Sequence, residues 1–261
     1  MRRERAPIWI AVLAAIGAAF FVVPLVGLVV RTPWDHAIRS LTSADTLEAL
    51  KLSLIASLSS TGLALVFGVP LAWLYARIDF PGRTVLRALT TLPMVLPPVV
   101  GGIALLLAFG RRGLLGGWLD STFGITLPFT TAGVVLAETF VAMPFLVLTV
   151  EAGLRSMDRR YEEAARTLGA RRWTVFTRVT LPLIAPSLLA GAVLCWARAL
   201  GEFGATITFA GNFPGVTQTM PLAVYLLLET NPEGSLALSL ILLLVSLVVL
   251  VGLRHRWLGS A

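Results

Sequence analysis

The chain has 261 residues, of which 57% are hydrophobic and only 13% charged, with a mean hydropathy of +0.86. A soluble globular chain carries about 25% charge and about 45–50% apolar residues, so this one lacks the polar material to cover a water-facing surface; disorder is excluded by the same numbers, and a disulfide scaffold by the single cysteine, Cys195. The net charge of +7 does not mark a nucleic-acid binder, because the arginines fall in the breaks between apolar runs rather than along a stripe, and an all-α integral membrane protein built as one bundle remains.

A helix needs about 20 apolar residues to cross the ~30 Å hydrocarbon layer. The first uncharged run, residues 8–30, follows Arg2, Arg3 and Arg5. It exceeds the ~7–15-residue apolar core of a signal peptide, and no small-x-small cleavage site closely follows it, so it reads as a retained helix. Further spans are expected at 52–76, at 87–110, at 131–150 with Glu138 inside it, at 181–208 with Arg198 and Glu202 inside it, and at 235–253. The third carries Pro93, Pro97 and Pro98, then Gly101-Gly102. Such breaks serve either as packing kinks or as irregular backbone lining a pathway. Residues 203–228 are uncharged too, but Asn212, Pro214, Gly215, Gln218 and Pro221 favour a loop with a short helix over a seventh span. No segment alternates with period two, which argues against a barrel.

Orientation follows from arginine and lysine. With the N-terminus inside, the inner segments carry 15 of the 21 basic residues and the outer segments five, namely Arg31, Arg39, Lys51, Arg111 and Arg112. The bias places both termini in the cytoplasm and predicts an even number of spans.

Several motifs are missing. A P-loop needs Gly-Lys-Ser/Thr, and the only lysine, Lys51, lies between Leu50 and Leu52; the chain binds no nucleotide in that way. With one cysteine and two distant histidines, His36 and His255, metal ligation is poorly supplied, and both histidines read as solvated. Cys195 reads as a small buried hydrophobe. No Ser/His/Asp arrangement is visible, so no catalytic residues are assigned.

Charges within spans are expensive and need partners. Arg198 and Glu202 are four apart and share a helix face; a structural ion pair facing the bundle interior is the preferred reading, and a pathway-lining Arg198 that favours an oxyanion is the sharper one. Glu138, which would repel an oxyanion, reads as bonded to a neighbouring helix or paired with a basic group.

The inner loop, residues 151–181, is polar and strongly basic. Asp158 is a candidate cap for a helix over 159–168, with Tyr161, Ala164, Ala165 and Leu168 on one apolar face and Gly169 as its stop. A second short helix over 171–176 is expected before Leu181-Pro182 breaks the run. A helix this short is marginal alone, so its apolar face should dock; pattern alone favours docking on the anionic inner leaflet.

Glu163-Ala164-Ala165, three residues, Gly169, nine residues, Val179, one residue, and Leu181-Pro182 resemble the EAA loop of ABC importer permeases, EAA-x3-G-x9-I-x-LP, with Val179 in place of Ile. The stretch from Ala197 through Glu202 to Phe209 is similar to the fifth span of the molybdate and sulfate branch, and Gly211-Asn212 with Gln218-Thr219-Met220-Pro221 and Tyr225 looks most like molybdate permeases. The resemblance implies a six-span type I importer permease, a transport subunit rather than an enzyme. It implies two copies forming one pathway, two ATP-binding subunits that hold the ATP and Mg, and an extracytoplasmic substrate-binding protein, with no cofactor on this chain, in a cytoplasmic (inner) membrane. The loop would be the coupling helix, with Glu163, Ala164, Ala165, Gly169, Leu181 and Pro182 meeting the ATPase. Asn212, Gln218 and Thr219 would belong to an outer gate or docking loop. The implied substrate is a tetrahedral oxyanion, molybdate first and tungstate with it; sulfate or thiosulfate is the rival. An ion-coupled secondary transporter using Glu138, Arg198 and Glu202 as a relay is the alternative from another class.

Overall fold

The computed structural model describes residues 7–35 and 43–258, with backbone only at 250 and 252–258. Arg2, Arg3, Arg5 and His36, and the side chain of His255, lie outside the described residues. Every regular element among them is a helix.

Helix α1, Ile8–Arg31, is apolar all round and buries no residue in this chain. A helix hydrophobic on every side belongs in lipid or against another membrane helix. Helix α2, Ala44–Arg77, starts at Ser43, whose hydroxyl accepts the Thr46 N–H at 3.4 Å. It begins eight residues before the expected span because Asp45, Glu48 and Lys51 end an apolar run without ending a helix. Its 34 residues extend about 50 Å, so both ends project beyond the hydrocarbon.

Helix α6, Thr131–Ser156, is capped by the Thr130 hydroxyl, which accepts from Gly133 N at 3.1 Å. It packs along α2, and helix α9, Ala185–Leu200, returns against both. Tyr75 and Ala64 of α2, Leu146, Val150 and Leu154 of α6, and Cys195 and Ala199 of α9 form the shared core. Small residues permit the close approach that membrane helices need without a hydrophobic drive between them. A Cβ on Gly153 would meet Ser187 at 2.4 Å, and one on Gly191 would meet Thr149 at 3.2 Å.

The third predicted span is not a straight helix. Helix α3, Arg83–Thr91, carries Arg83 and Arg87 and buries nothing. A 3-10 turn, Leu92–Met94, and a non-helical stretch to Pro97 follow. The chain then turns by 119° into α4, Pro98–Phe109, whose 12 residues rise only about 18 Å. Uncharged length predicted one span; the three prolines, which remove donors and clash with the preceding turn, divide it. The fifth span is broken as well. Helix α9 stops at Leu200, and α10, Gly204–Ala210, starts after residues 201–203. A short outer helix, α5 (Gly116–Phe123), lies between α4 and α6.

In the inner loop, α7 spans Arg160–Thr167, and Asp158 accepts the Arg160 N–H at 2.9 Å although Arg159 holds the cap position. Gly169, at φ 83°, closes α7: its N–H goes to Arg166 O at 2.9 Å and that of Ala170 to Ala165 O at 3.1 Å, the paired bonds of a Schellman stop. The expected break at Leu181-Pro182 does not occur. Helix α8, Arg172–Leu183, passes through both residues and bends by 73° only afterwards, at Ile184. A π turn, Phe176–Thr180, precedes Pro182 and widens the ladder where the proline would otherwise clash.

Helix α11, Met220–Thr230, is the short helix expected in the outer loop. It folds back on α12, Pro232–Leu258, through Met220, Ala223, Leu238 and Ile241. Helix α12 runs beyond the expected end of its span, through the basic residues. Among the described residues, four helices are long and apolar enough to cross a membrane, or six if each bent pair counts as one span.

Candidate functional site

Three polar zones lie along the bundle. At one end, the carbonyls that close α2 face a ring of arginines. Arg83 and Arg155 donate to Tyr75 O, the latter at 3.3 Å, and Arg159 donates to Ala76 O at 3.1 Å. Cations at a helix C-terminus satisfy the last carbonyls and the macrodipole together. Two carboxylates organise these cations. Glu151, 1% exposed, takes Arg87 of α3 at 3.0 Å and Arg155 of its own helix at 2.7 Å. Glu162, 6% exposed, takes Arg77 of α2 at 3.3 Å and accepts the Thr180 hydroxyl at 2.7 Å.

Helix α7 is therefore pinned to α2 and α8 through Glu162, not through its apolar face. Tyr161, Ala164 and Leu168 point outward, and Leu168 is 88% exposed. Glu163 is exposed and borders a cavity of about 320 Å³ with Arg159, Arg166 and Arg172. Trp173 is exposed as well. Of the remaining loop residues singled out, Ala165 and Leu181 are half-buried, Gly169 forms the turn and Pro182 is exposed within α8. The expected apolar docking face exists, and it is uncovered by this chain.

The two broken spans meet where α4 packs on α10. A Cβ on Gly204 would lie 2.7 Å from Pro98, and one on Gly102 would lie 2.6 Å from Thr208 Cβ and 2.9 Å from Ala205 O. Both glycines are thus required for α4 and α10 to touch. Arg198 and Glu202 form an ion pair at 2.6 Å. Glu202 also acts as a helix cap. Its Oε1 accepts the Ala205 N–H at 2.9 Å, so the buried carboxylate sits at the N-terminus of α10, where negative charge is favoured. Glu138 is buried on α6, and its Oε2 has no hydrogen-bond partner among the described residues; it does not pair with a basic group there. In front of the break, Val95 is 83% exposed and Pro97 is exposed. Non-helical backbone at membrane depth must be buried in protein or face water, and here this chain does not bury it.

In the loop after α10, Gln218 and Thr219 are buried within the chain, and Ser53 of α2 takes the Met220 N–H at 2.7 Å. Asn212 is half-buried. The accessible part of this loop is residues 213–216. Phe213 there meets Phe129 edge-on at 6.0 Å, and Phe129 holds a φ of 61°, a left-handed conformation that costs a bulky residue about 1–2 kcal/mol. The Phe129–Phe213 pair carried no motif and was not anticipated. Buried Glu151 and Glu162 were also missed; the Glu151/Arg155 spacing of four was the available signal for the first.

A bundle of long apolar helices in which two broken spans pack together defines a membrane protein of several spans. Residues 64–259 match the family described as "Binding-protein-dependent transport system inner membrane component". The chain is 48% identical over 96% of its length to the molybdenum transport system permease protein ModB of Mycobacterium tuberculosis, covering 94% of that protein. It is 37% identical over 88% of its length to the sulfate transport system permease protein CysT of Escherichia coli, covering 84% of it. It superposes with a TM-score of 0.74, at 20% identity, on a bacterial ABC transporter involved in the import of the acidic polysaccharide alginate, covering 97% of this chain and 96% of that one. The chain belongs to the binding-protein-dependent transport system inner membrane components, and it is a membrane-embedded permease subunit of an ABC importer.

Proposed function

We propose that this chain is the permease of an ATP-driven importer of a tetrahedral oxyanion, molybdate first, with tungstate, alike in size and charge, as the alternative within that class. The observation that carries the substrate is the 48% identity to a molybdenum permease across nearly the whole chain, against 37% to a sulfate permease. Sulfate remains the second reading because that lower identity still spans 88% of the chain.

Two copies would form one pathway in the inner membrane, with termini in the cytoplasm. The exposed irregular segment before Pro98 supports this, because lipid cannot satisfy its backbone and a second copy around a water-filled path can. The outward face of α7, with Tyr161, Ala164 and Leu168, fits a cleft on a separate ATPase that holds ATP and Mg. Glu163 would offer a carboxylate to a basic group there, and the Schellman turn at Gly169 fixes where α7 ends. Leu181 and Pro182 set the helix behind it. An extracytoplasmic binding protein would deliver the dianion to the outer rim near residues 213–216, with Asn212, Gln218 and Thr219 holding that loop in shape. Arg198, its charge partly balanced by Glu202, would favour an oxyanion at the junction of the broken spans.

ATP binding would draw the two α7 helices together and open the path outward; nucleotide release would return it inward. Selectivity would rest mainly with the binding protein, since a pathway that binds tightly releases slowly. The test is copurification of the ATPase followed by uptake of molybdate and sulfate offered separately. Sulfate uptake in place of molybdate overturns the substrate, and an ATPase that does not associate overturns the importer assembly.

A further inference from the structure

We infer that Glu151 is a latch that transmits movement of the docking helix to the broken third span. The inference rests on the importer reading above and concerns residues outside the loop motif. Helix α3 is the inner leg of that span, and none of its nine residues is buried. Val85, Leu86 and Leu89 are exposed, so apolar packing does not fix its position. One ion pair and two hydrogen bonds hold it instead. Arg87 meets Glu151 at 3.0 Å, Thr90 shares a hydrogen bond with the Tyr75 hydroxyl at 2.7 Å, and Arg83 reaches Tyr75 O.

Glu151 joins this set to the docking helix. Its other oxygen takes Arg155 at 2.7 Å, and Arg155 donates to Tyr75 O. The next residues of α2 are tied to α7: Arg159 donates to Ala76 O, and Arg77 pairs with Glu162. A force on α7 therefore reaches the end of α2, then Arg155 and Glu151, and then Arg87 on α3. Beyond Arg87 the chain has the 3-10 turn and the non-helical stretch to Pro97, where the 119° bend lies. The backbone bonds on the α3 side end with Val95 and Leu96 to Leu92 O, and those of α4 begin at Pro97 O, so none of these bridges the bend and a displaced α3 changes the angle that shapes the exposed segment before Pro98. A buried carboxylate shared by two guanidiniums can exchange one arginine for the other without being left unpaired, which is what a two-state latch requires.

Glu151 is thus a positioning residue, and it touches no substrate. The test uses the whole complex with its ATPase and binding protein in proteoliposomes, reading molybdate uptake per ATP hydrolysed, with spin labels at Val85 and Thr167 to read the distance between α3 and α7. With Glu151→Gln we expect hydrolysis to persist and uptake per ATP to fall about tenfold, within the usual range of allosteric couplings. The label distance should change on ATP binding in the parent complex and stay fixed in the variant, and Glu151→Asp should restore much of both. If Glu151→Gln does not assemble, Arg87→Gln decides, because it removes a 44% exposed side chain and leaves Glu151 paired with Arg155. An unchanged uptake-to-hydrolysis ratio, or a label distance that moves as in the parent, overturns the latch. A parent complex that imports no oxyanion defeats the functional reading instead, since the label distance with ATP still tests the latch.

Discussion

Replacing Glu162 by alanine should release α7 from the bundle. The residue pairs with Arg77 while each side chain is 7% exposed, and it accepts the Thr180 hydroxyl. Removing one partner of a fully buried pair costs about 3–5 kcal/mol, because the other charge is left uncompensated. Here Arg77 borders the cavity of about 320 Å³ beside α7 and can draw in water, so the lower end applies, about 3 kcal/mol. Helix α7 has eight residues and little stability of its own, so most of that loss falls on its docking. At 1.4 kcal/mol per factor of ten, about 3 kcal/mol is roughly a hundredfold. Hydrogen exchange of the α7 amides in the free permease should therefore speed up by about a hundredfold, while the amides in the middle of α6 hold their protection. Glu163→Ala, one residue away and exposed, should change exchange by no more than about twofold, since surface substitutions stay within about 0.5 kcal/mol. Equal protection in Glu162→Ala and the parent would refute the claim that Glu162 anchors α7.

Glu163→Lys should leave the permease folded yet yield complexes that lose the ATPase on purification or hydrolyse ATP without uptake; normal uptake would contradict a docking role. Gly102→Ala places a Cβ 2.6 Å from Thr208, so the overpacking cost of about 1–3 kcal/mol outweighs the roughly 1 kcal/mol gained in helix propensity, and the thermal midpoint should fall. Gly62→Ala, with nothing within 4 Å of the new atom, should hold or raise the midpoint, and a fall in both alike would refute the α4–α10 contact as the cause. Arg198→Gln leaves Glu202 capping α10 but without its counter-charge. Uptake should drop by about tenfold, because the junction loses a charge-assisted contact to the oxyanion worth about 1.5 kcal/mol, while the complex still assembles; normal uptake would contradict a pathway role for Arg198.

Run length and charge made much of this fold legible. The expected spans fall within helices α1, α2, α6 and α12, and α1, α2 and α6 each continue through a single interior proline, Pro24, Pro70 and Pro144. Run length alone does not register the bend within residues 87–110, which the three prolines marked as a break without giving its angle of 119°. The proline rule failed at Pro182, where a π turn five residues long absorbs a residue that ordinarily breaks a helix. In the inner loop, Gly169 was readable as a stop because a left-handed position selects glycine. Which of two adjacent glutamates turns inward was not readable. Glu162 and Glu163 differ by about 100° around α7, and only the position of Arg77, 85 residues earlier, decides that Glu162 is the buried one. The burial of Gln218 and Thr219 was unreadable for a similar reason, because it depends on Ser53 of α2, 167 residues before Met220, taking the N–H of that residue.

The most direct test is ATP-dependent uptake by proteoliposomes that hold this chain with its ATPase and receive the cognate binding protein and radiolabelled molybdate. Uptake that requires ATP, persists in excess sulfate and is abolished by excess tungstate is the predicted result. Uptake of sulfate alone, or none of any oxyanion from a complex shown to be intact, would contradict it.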